Sequence, residues 1–594
     1  MYDIDGEIER RFRQAISSER LHRHLERFST LYRDSGSGDE RRAAEYVAEQ
    51  VSAAGAAVRI LTFDSLISWP LEASLVVTFP DGHSEEIPAR PRSFGGVTPP
   101  EGIEAELTFI PFQKPGQGEM IFTHRAVAGD YAGRDVRGKI VLTADGGPDG
   151  IRRAEERGAL AHVHLWPSDE PAIHEMIATP VWGTPTPETA PTIPKIPALG
   201  ITNADGERLA QACATGTVRA RLISKVRTEW MQLPLVLADI PGRHEEGAFL
   251  LVGAHIDSWY EGITDNATGD ASLIEMACIL AQHPGALVHG VRFAWWPGHS
   301  TGRYSGSTWY ADTHFMELRE RCLGYLNIDS PGIRGASVWD CRYNTAEVEH
   351  VTATVVRELS GQEPNLRRPL KAGDQSFLGI GLPSLGAFRM LPPDHPDRKA
   401  VGGSGGGWWW HTPYDTLDKA DPAVLADDTR VYLTIISRMC TPRLHPYRFA
   451  PVAEDILRHL GELQEAADGH VDLAPVLDRG RHFQAAARAL DQVTPNAQGD
   501  SPIVPDLNRG MRELTRVLNP VLFTVKGPYE FDPALQLPVL PGLAPVRILA
   551  GLDPSSDNYR FLWTQLVRQR NRVEDALRQA TTLASDLAAL GRRS

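Results

Sequence analysis

Residues 249–282, FLLVGAHIDSWYEGITDNATGDASLIEMACILAQ, with residues 291–307, VRFAWWPGHSTGRYSGS, decide the fold. FLLVGAH (249–255) and VRFAWW (291–296) are near-continuous apolar runs of strand length, and ASLIEMACILAQ (271–282) between them has the length of a helix. A strand wetted on one face alternates apolar and polar residues; one without alternation is covered on both faces. The pattern continues with a helix in TWYADTHF (308–315), a strand in LGYLNID (323–329) and a helix in AEVEHVTATVVREL (346–359). Such regular alternation implies an α/β fold with a mostly parallel sheet sandwiched by helices. Ligands of open α/β sheets sit beyond the carboxyl ends of the strands, which is where His255, His299 and Asp329 fall.

Upstream, Ile8, Phe12, Ile16, Leu21, Leu25, Phe28 and Leu31 recur at roughly helical spacing, predicting an amphipathic helix across residues 7–32. A second helix is capped at Ser37, runs to about Ala53 and is stopped by Gly55, with a β-branched run after it. From about Trp69 to Lys225 the chain changes to short strands with many Gly and Pro breaks, which marks an inserted β-rich domain. Beyond about Pro442 it turns helical again in PVAEDILRHLGELQEAA, DLNRGMRELTRVLNPVLF and YRFLWTQLVRQRNRVEDALRQATTLASDLAAL, with a proline-rich connection, FDPALQLPVLPGLAP. The expected domains are 1–68 with 226–445, then 69–225, then 446–594. GGSGGGWWW (402–410) reads as a mobile loop beside an aromatic wall.

A chain of 594 residues accommodates two to four domains. Its formal net charge of -15 and its lack of a basic stripe argue against nucleic acid as a partner. No apolar run reaches the roughly 18 residues of a membrane span. The N-terminus, MYDIDGEIERRFRQ, carries mixed charges where a signal peptide has an apolar core, so a cytoplasmic location is expected. Five scattered cysteines, with no C-x-x-C pair, fit reduced thiols and not a thiolate metal site.

His255 ends a strand, Asp257 follows two residues later, and Asp265 lies ten positions on, just before a helix. Imidazole with carboxylate is a ligand set for a divalent metal such as zinc, and a carboxylate can bridge two ions. Asp329, at the end of LNID, and His411, in WWWHTPYDTLDK, can complete the set.

The order His, Asp, Asp, His at these positions resembles peptidase family twenty-eight, the aminopeptidase and glutamate-carboxypeptidase group. The resemblance makes His255, Asp265, Asp329 and His411 metal ligands and Asp257 the carboxylate that orients a ligand histidine. The insert resembles a protease-associated domain in its "GKIVL" strand (Gly138 to Leu142), its helix and its "GA" strand (Gly158 to Val163). Residues 446–594 resemble the helical dimerisation domain of the glutamate carboxypeptidase and transferrin receptor branch, which implies a homodimer. The family motif W-D-G-E-E-x-G stands here as Trp296, Pro297, Gly298, His299, Ser300, Thr301, Gly302. Both glutamates, the general base and a ligand, are replaced.

One ion is therefore favoured over two, zinc first, with iron, manganese or nickel also compatible with an added imidazole. The expected activity is metal-dependent hydrolysis of an amide or related C–N bond in a small or short peptide-like substrate. A metal-bound water serves as nucleophile and His299 takes the place of the usual Glu base. Trp410 stands where the carboxypeptidase branch has an oxyanion-donating tyrosine, and Trp409 belongs to an aromatic wall for a substrate. Arg303, Arg342 and Arg389 are candidate anchors for a substrate carboxylate. Asp374 matches a family position near the site. The alternatives are a repurposed mononuclear enzyme, a deaminase or lyase on a small aromatic compound, and an inactive binding homologue.

Overall fold

A computed structural model of the chain describes residues 6–112, 128–243, 247–494 and 501–592. At its centre the strand Phe249–His255 lies between Gly290–Trp296 and Cys322–Asn327, parallel to both. Every residue of these three strands is buried. Alternate side chains serve opposite faces. Leu250, Val252 and Ala254 join the core formed with the helices Thr268–Ala281 and Pro422–Cys440, while Phe249 and Leu251 pack with Tyr310 and Leu318 of the helices Ser305–Thr313 and Phe315–Arg321.

Beyond Gly290–Trp296 the sheet turns antiparallel. Val218–Ile240 pairs with that strand near Ile240 and with Ala57–Thr78 along nearly its whole length, from Ala57 opposite Asp239 to Thr78 opposite Arg219. The far end of this ribbon pairs with Ile103–Phe109, from which Ile140–Thr143, Ala161–Leu165 and Ala198–Ile201 continue in parallel. Catalytic region and insert thus share one 12-stranded sheet. The expected boundaries at 68/69 and 225/226 fall inside the ribbon, whose one irregularity there is a register shift between Pro70 and Glu72. The insert nevertheless buries its own core, with Leu75, Ile140, Leu142, Val163 and Leu199 among its members.

The helix expected over 7–32 is two helices, Gly6–Ala15 and Ser18–Phe28. Ser17 breaks it: its hydroxyl accepts from Arg20 N (3.2 Å) and its own N–H donates to Glu275 (2.8 Å), so the chain caps a new helix in place of continuing the old one. The C-terminal region holds Ala450–Ala467, Val504–Phe523 and the 35-residue Asp557–Gly591, together with a further helix, Ala474–Val493. Half of what that fourth helix buries is small, Gly480, Ala486 and Ala487 beside Val476, Phe483 and Leu490, which weakens its apolar stripe in sequence. Arg516 locks the helical region to the sheet, donating to the carbonyls of Leu318 (3.2 Å), Gly381 (3.2 Å) and Cys322 (2.5 Å).

The GGSGGG segment is not the free loop its composition implies. Ser404, Gly405 and Gly406 are buried, with Ser404 N donating to Ser330 Oγ (3.0 Å) and Gly405 O accepting from Leu391 N (2.9 Å). No helix among the described residues is long and apolar enough to cross a membrane.

Candidate metal centre

His255 is the last residue of the central strand; His299 lies three residues past Trp296, and Asp329 two past Asn327. Asp265 sits in the short irregular segment Ile263–Ala267 that leads into the helix Thr268–Ala281. His411 adopts a left-handed backbone (φ 58°) in the loop after Trp410. Five residues from five separate segments thus meet at the carboxyl edge of the parallel strands.

Asp265 is the hub. Its Oδ1 lies 2.9 Å from His255 Nε2 and its Oδ2 3.2 Å from His411 Nε2. Asp329 Oδ1 is 3.9 Å from His255 Nε2. His255, His299 and Asp329 offer ligand atoms within 4.8 Å of one another. The rings of His255 and His299 stack at 3.7 Å, 11° from parallel.

The other nitrogen of each imidazole has a fixed partner. Nδ1 lies 2.8 Å from the Asp257 carbonyl in His255, 2.8 Å from the Glu175 carbonyl in His411 and 2.8 Å from Asp374 Oδ2 in His299. A carbonyl or carboxylate accepts only, so each Nδ1 carries an N–H, while Nε2 of His255 and of His411 faces the Asp265 carboxylate, where a proton or a cation must lie between them. Imidazole nitrogens and carboxylate oxygens that converge in this way are the donor set of a divalent cation once the protons between them are displaced. Electrostatics agree: burial opposes a charge on His255, yet Asp265, Asp329 and Asp257 raise its proton affinity well above the ordinary value. Burial would lift Asp265, but His255 and His411 hold it well below the usual carboxylate range, while burial and Asp265 push Asp329 up. The pocket draws a positive charge.

Around the donors stands a brace that the sequence reading only partly foresaw. The Asp257 carboxylate does not orient His255, whose Nδ1 lies 4.0 Å away; it accepts from His299 N (3.0 Å), Ser300 N (2.7 Å) and Ser35 Oγ (2.6 Å), and so fixes the turn that carries His299. The reason is that the backbone carbonyl of Asp257 reaches the ring first. Asp374 holds His299 and also accepts from Ser307 Oγ (2.7 Å). Asp415 pins the Asp265 segment, accepting from Thr264 N (2.9 Å), Thr264 Oγ1 (2.6 Å) and Asp265 N (3.1 Å). Buried Arg33 donates to the carbonyls of Ile256 (2.9 Å), Glu261 (2.8 Å) and Gly262 (3.0 Å), supporting the loop between His255 and Asp265. Arg33, Asp415 and Glu175 were not singled out in sequence. Of the three, Asp415 alone had a local signal, the "YDT" of residues 414–416 shortly after His411.

The site opens into a cleft lined by Asp265, His299, Ser300, Arg303, Trp410 and His411 among others. Trp410 stacks on His411 at 3.6 Å. Trp409 is not part of the wall: it is buried behind it, with Nε1 donating to Thr264 Oγ1 (3.0 Å). Arg342 and Arg389 are also elsewhere. Arg342 is buried against Asp340 (2.8 Å), and Arg389 faces Asp428 (3.4 Å) and Trp339, so both guanidiniums are neutralised inside the protein and neither lines the cleft.

Residues 236–436 match the model of Peptidase family M28. The likeness to that family is thus shown for 236–436 of the chain's 594 residues. An aminopeptidase of Pseudomonas aeruginosa (strain UCBPP-PA14) is 42% identical over 85 residues, 14% of this chain and 15% of its own, so the match spans a small part of that relative. The M28 region and its surroundings superpose on a Peptidase M28 precursor from Shewanella amazonensis SB2B with a TM-score of 0.56 at 19% identity, covering 74% of this chain and 97% of that one. A zinc aminopeptidase from Bacillus subtilis gives 0.53 at 19% identity, with 72% and 96% covered. These structures share the fold of the M28 region; the residues that fill its centre are this chain's own.

Proposed function

We propose that the chain is a metal-dependent hydrolase that cleaves an amide or related C–N bond of a small or short peptide-like substrate. The observation that carries this reading is the set of three imidazoles, each with Nδ1 fixed at 2.8 Å, gathered around Asp265 and Asp329. His255, Asp265 and Asp329 would hold one divalent ion, zinc being favoured, with His411 beside the second oxygen of Asp265. A cation bound there supplies a Lewis acid and a water acidified toward neutral pH. A second ion finds only Asp265 and His411, because the family's glutamate ligand is Ser300 here.

His299 takes the proton. Its Nε2 lone pair can bind an ion or a proton, not both, and the Asp374 carboxylate behind Nδ1 stabilises the imidazolium that proton uptake creates. Trp410 and the Met176–Ile177 stretch of the insert narrow the approach to the ion. The test is metal content and turnover together, on N-acyl amino acids and aminoacyl anilides. We expect about one equivalent of metal and measurable hydrolysis, with both lost in His255→Ala. A metal-free protein, or a fully active His255→Ala, sinks the reading.

A second reading keeps the single ion but changes the reaction to a non-hydrolytic one. The observation behind it is that both family carboxylates are gone and that the backbone N–H groups of their replacements, His299 and Ser300, are tied to Asp257. Stoichiometric metal with no turnover across a peptide and acyl-amino-acid library would favour it. We also propose dimerisation through the C-terminal helical region, where Phe561 (69% exposed) and Trp563 (43%) stand out on Asp557–Gly591, and a cytoplasmic location consistent with five unpaired cysteines.

A further inference from the structure

The insert meets the loop of His411 at more than one point. Its segment 166–177 is neither helix nor strand apart from a bridge at Ile177, yet most of it is buried. At its centre stands an imidazole that the reaction does not use. The His174 side chain is fully enclosed, with its ring stacked 3.8 Å from that of Trp166 at 8°. Nδ1 lies 2.6 Å from the carbonyl of Trp410, and Nε2 lies 3.0 Å from Glu170 Oε1. The carbonyl accepts only, so Nδ1 carries the N–H that reaches it. Glu170 is itself held: the same Oε1 accepts from Trp166 Nε1 (2.5 Å) and Ser168 Oγ (2.9 Å). The packing around the pair is apolar, with Trp166, Val401 and Trp410 in one cluster and Met176 against it. Burying an imidazole and a carboxylate in such a space costs stability that apolar side chains would not. What the pair obtains is a grip on one backbone carbonyl.

That carbonyl belongs to the peptide that enters His411. The peptide is planar, so holding its oxygen fixes the plane on the N-terminal side of His411. His411 has a φ of 58°, a left-handed value that strains a residue with a side chain and persists only where its surroundings impose it. The main chain of Glu175 secures the other side: its N–H donates to the His411 carbonyl (2.9 Å), and its carbonyl accepts from the ring (2.8 Å). Neither bond touches the peptide between Trp410 and His411; the bond from His174 does. Rotating φ to a negative value would swing the Trp410 carbonyl off His174, so the grip opposes the change. In the conformation held, His411 Nε2 stands 3.2 Å from Asp265 Oδ2.

We propose that His174 is a positioning residue of the metal centre: its bond to the Trp410 carbonyl holds His411 in the left-handed conformation that aims Nε2 at Asp265. The role rests on the reading of that centre as a metal site. The insert thereby sets the geometry of one donor without supplying a ligand.

The experiment uses the full chain, stripped of metal and then titrated with zinc against a chelator of known affinity. Two amides divide the contacts of the imidazole. His174→Asn puts its amide nitrogen where Nδ1 stood, keeping the bond to Trp410 and losing that to Glu170; His174→Gln puts its amide nitrogen where Nε2 stood, with the reverse result. His174→Gln should weaken zinc binding by about tenfold or more, the range for loss of an outer partner of a ligand, and His174→Asn should recover most of it. A role in packing alone predicts otherwise, because both variants disturb the same buried space: zinc affinity would then follow the melting temperature of the metal-free protein. A crystal structure of metal-free His174→Gln gives a readout without zinc, and should show the Trp410 carbonyl turned and His411 drawn away from Asp265. If wild type binds no zinc but His411 moves in that variant, the metal reading falls and the positioning role stands. Zinc affinity that falls equally in both variants, or His411 unmoved beside Asp265 in His174→Gln, overturns the role.

Discussion

His299 shows how little a motif position says until its neighbours are known. Placed where a glutamate is expected, it keeps a proton-accepting atom at the centre only because Asp374, 75 residues away in sequence, holds the other side of the ring. His299→Ala should lower kcat by about 10²- to 10⁴-fold with metal content unchanged, the range for loss of a general base. Loss of metal together with activity would instead make it a ligand. Asp374→Asn should reduce activity with a shifted pH–rate profile, and His299→Glu should restore part of what His299→Ala removes. Stripping the ion with a chelator should abolish turnover and lower the melting temperature, both recovered on adding zinc, since a ligand at 100 times its Kd adds about 2.7 kcal/mol to stability. His255 and Asp329, two of the four candidate ligands, stood out in sequence because strand ends gather; Asp265 and His411 lie in loops and stood out by their order along the chain. The roles of the arginines were not legible: Arg342 and Arg389 read like surface anchors until Asp340 and Asp428 are seen beside them, and such partners come from tertiary packing.

Element boundaries follow from single polar groups. Ser17 ends one helix and begins the next by accepting from Arg20 N, so Ser17→Ala should cost about 1 kcal/mol in guanidinium unfolding and leave metal content intact. No change in the unfolding midpoint would mean that Glu275 alone secures the break. Asp415→Ala attacks a different kind of element, the irregular segment Ile263–Ala267, which has no regular ladder to keep Asp265 in place. It should lower metal affinity much more than it lowers the unfolding midpoint; parallel losses would assign Asp415 to general stability. The central strands and their helices were readable because unbroken apolar runs have few other solutions. Ala474–Val493 was missed because alanine and glycine bury with little hydropathic contrast. The long pairing of Ala57–Thr78 with Val218–Ile240 was missed as well, since register across so many intervening residues leaves no local trace.

At the scale of the whole chain, the ribbon makes the insert a wall of the site and not an appendage. One consequence for stability lies inside that insert. His162 is fully buried, and burial with the Arg92 charge beside it pushes its proton affinity down from 6.5 to about 3. Between these values the unfolded chain binds the extra proton, so this contribution is complete above pH 6.5 and is lost as pH falls toward 3, by at most about 1.4 kcal/mol per pH unit. The unfolding free energy of His162→Leu should therefore gain on that of wild type by about 1–2 kcal/mol between pH 7 and pH 5. A difference that does not vary with pH would rule the account out. Phe561→Glu should convert a dimer to a monomer in sedimentation; an unchanged dimer would move the interface elsewhere. The brace on His411 reaches across the same ribbon: Glu175 of the insert accepts from its ring and donates back to its carbonyl (2.9 Å), while Ser35, near the start of the chain, holds Asp257. The M28 segment thus carries every candidate metal donor but borrows three of the struts that aim them, Arg33 being the third. A fragment, or a chain whose insert has docked out of register, keeps its ligands and loses their aim, so metal loading doubles as a quality check that assembly has finished.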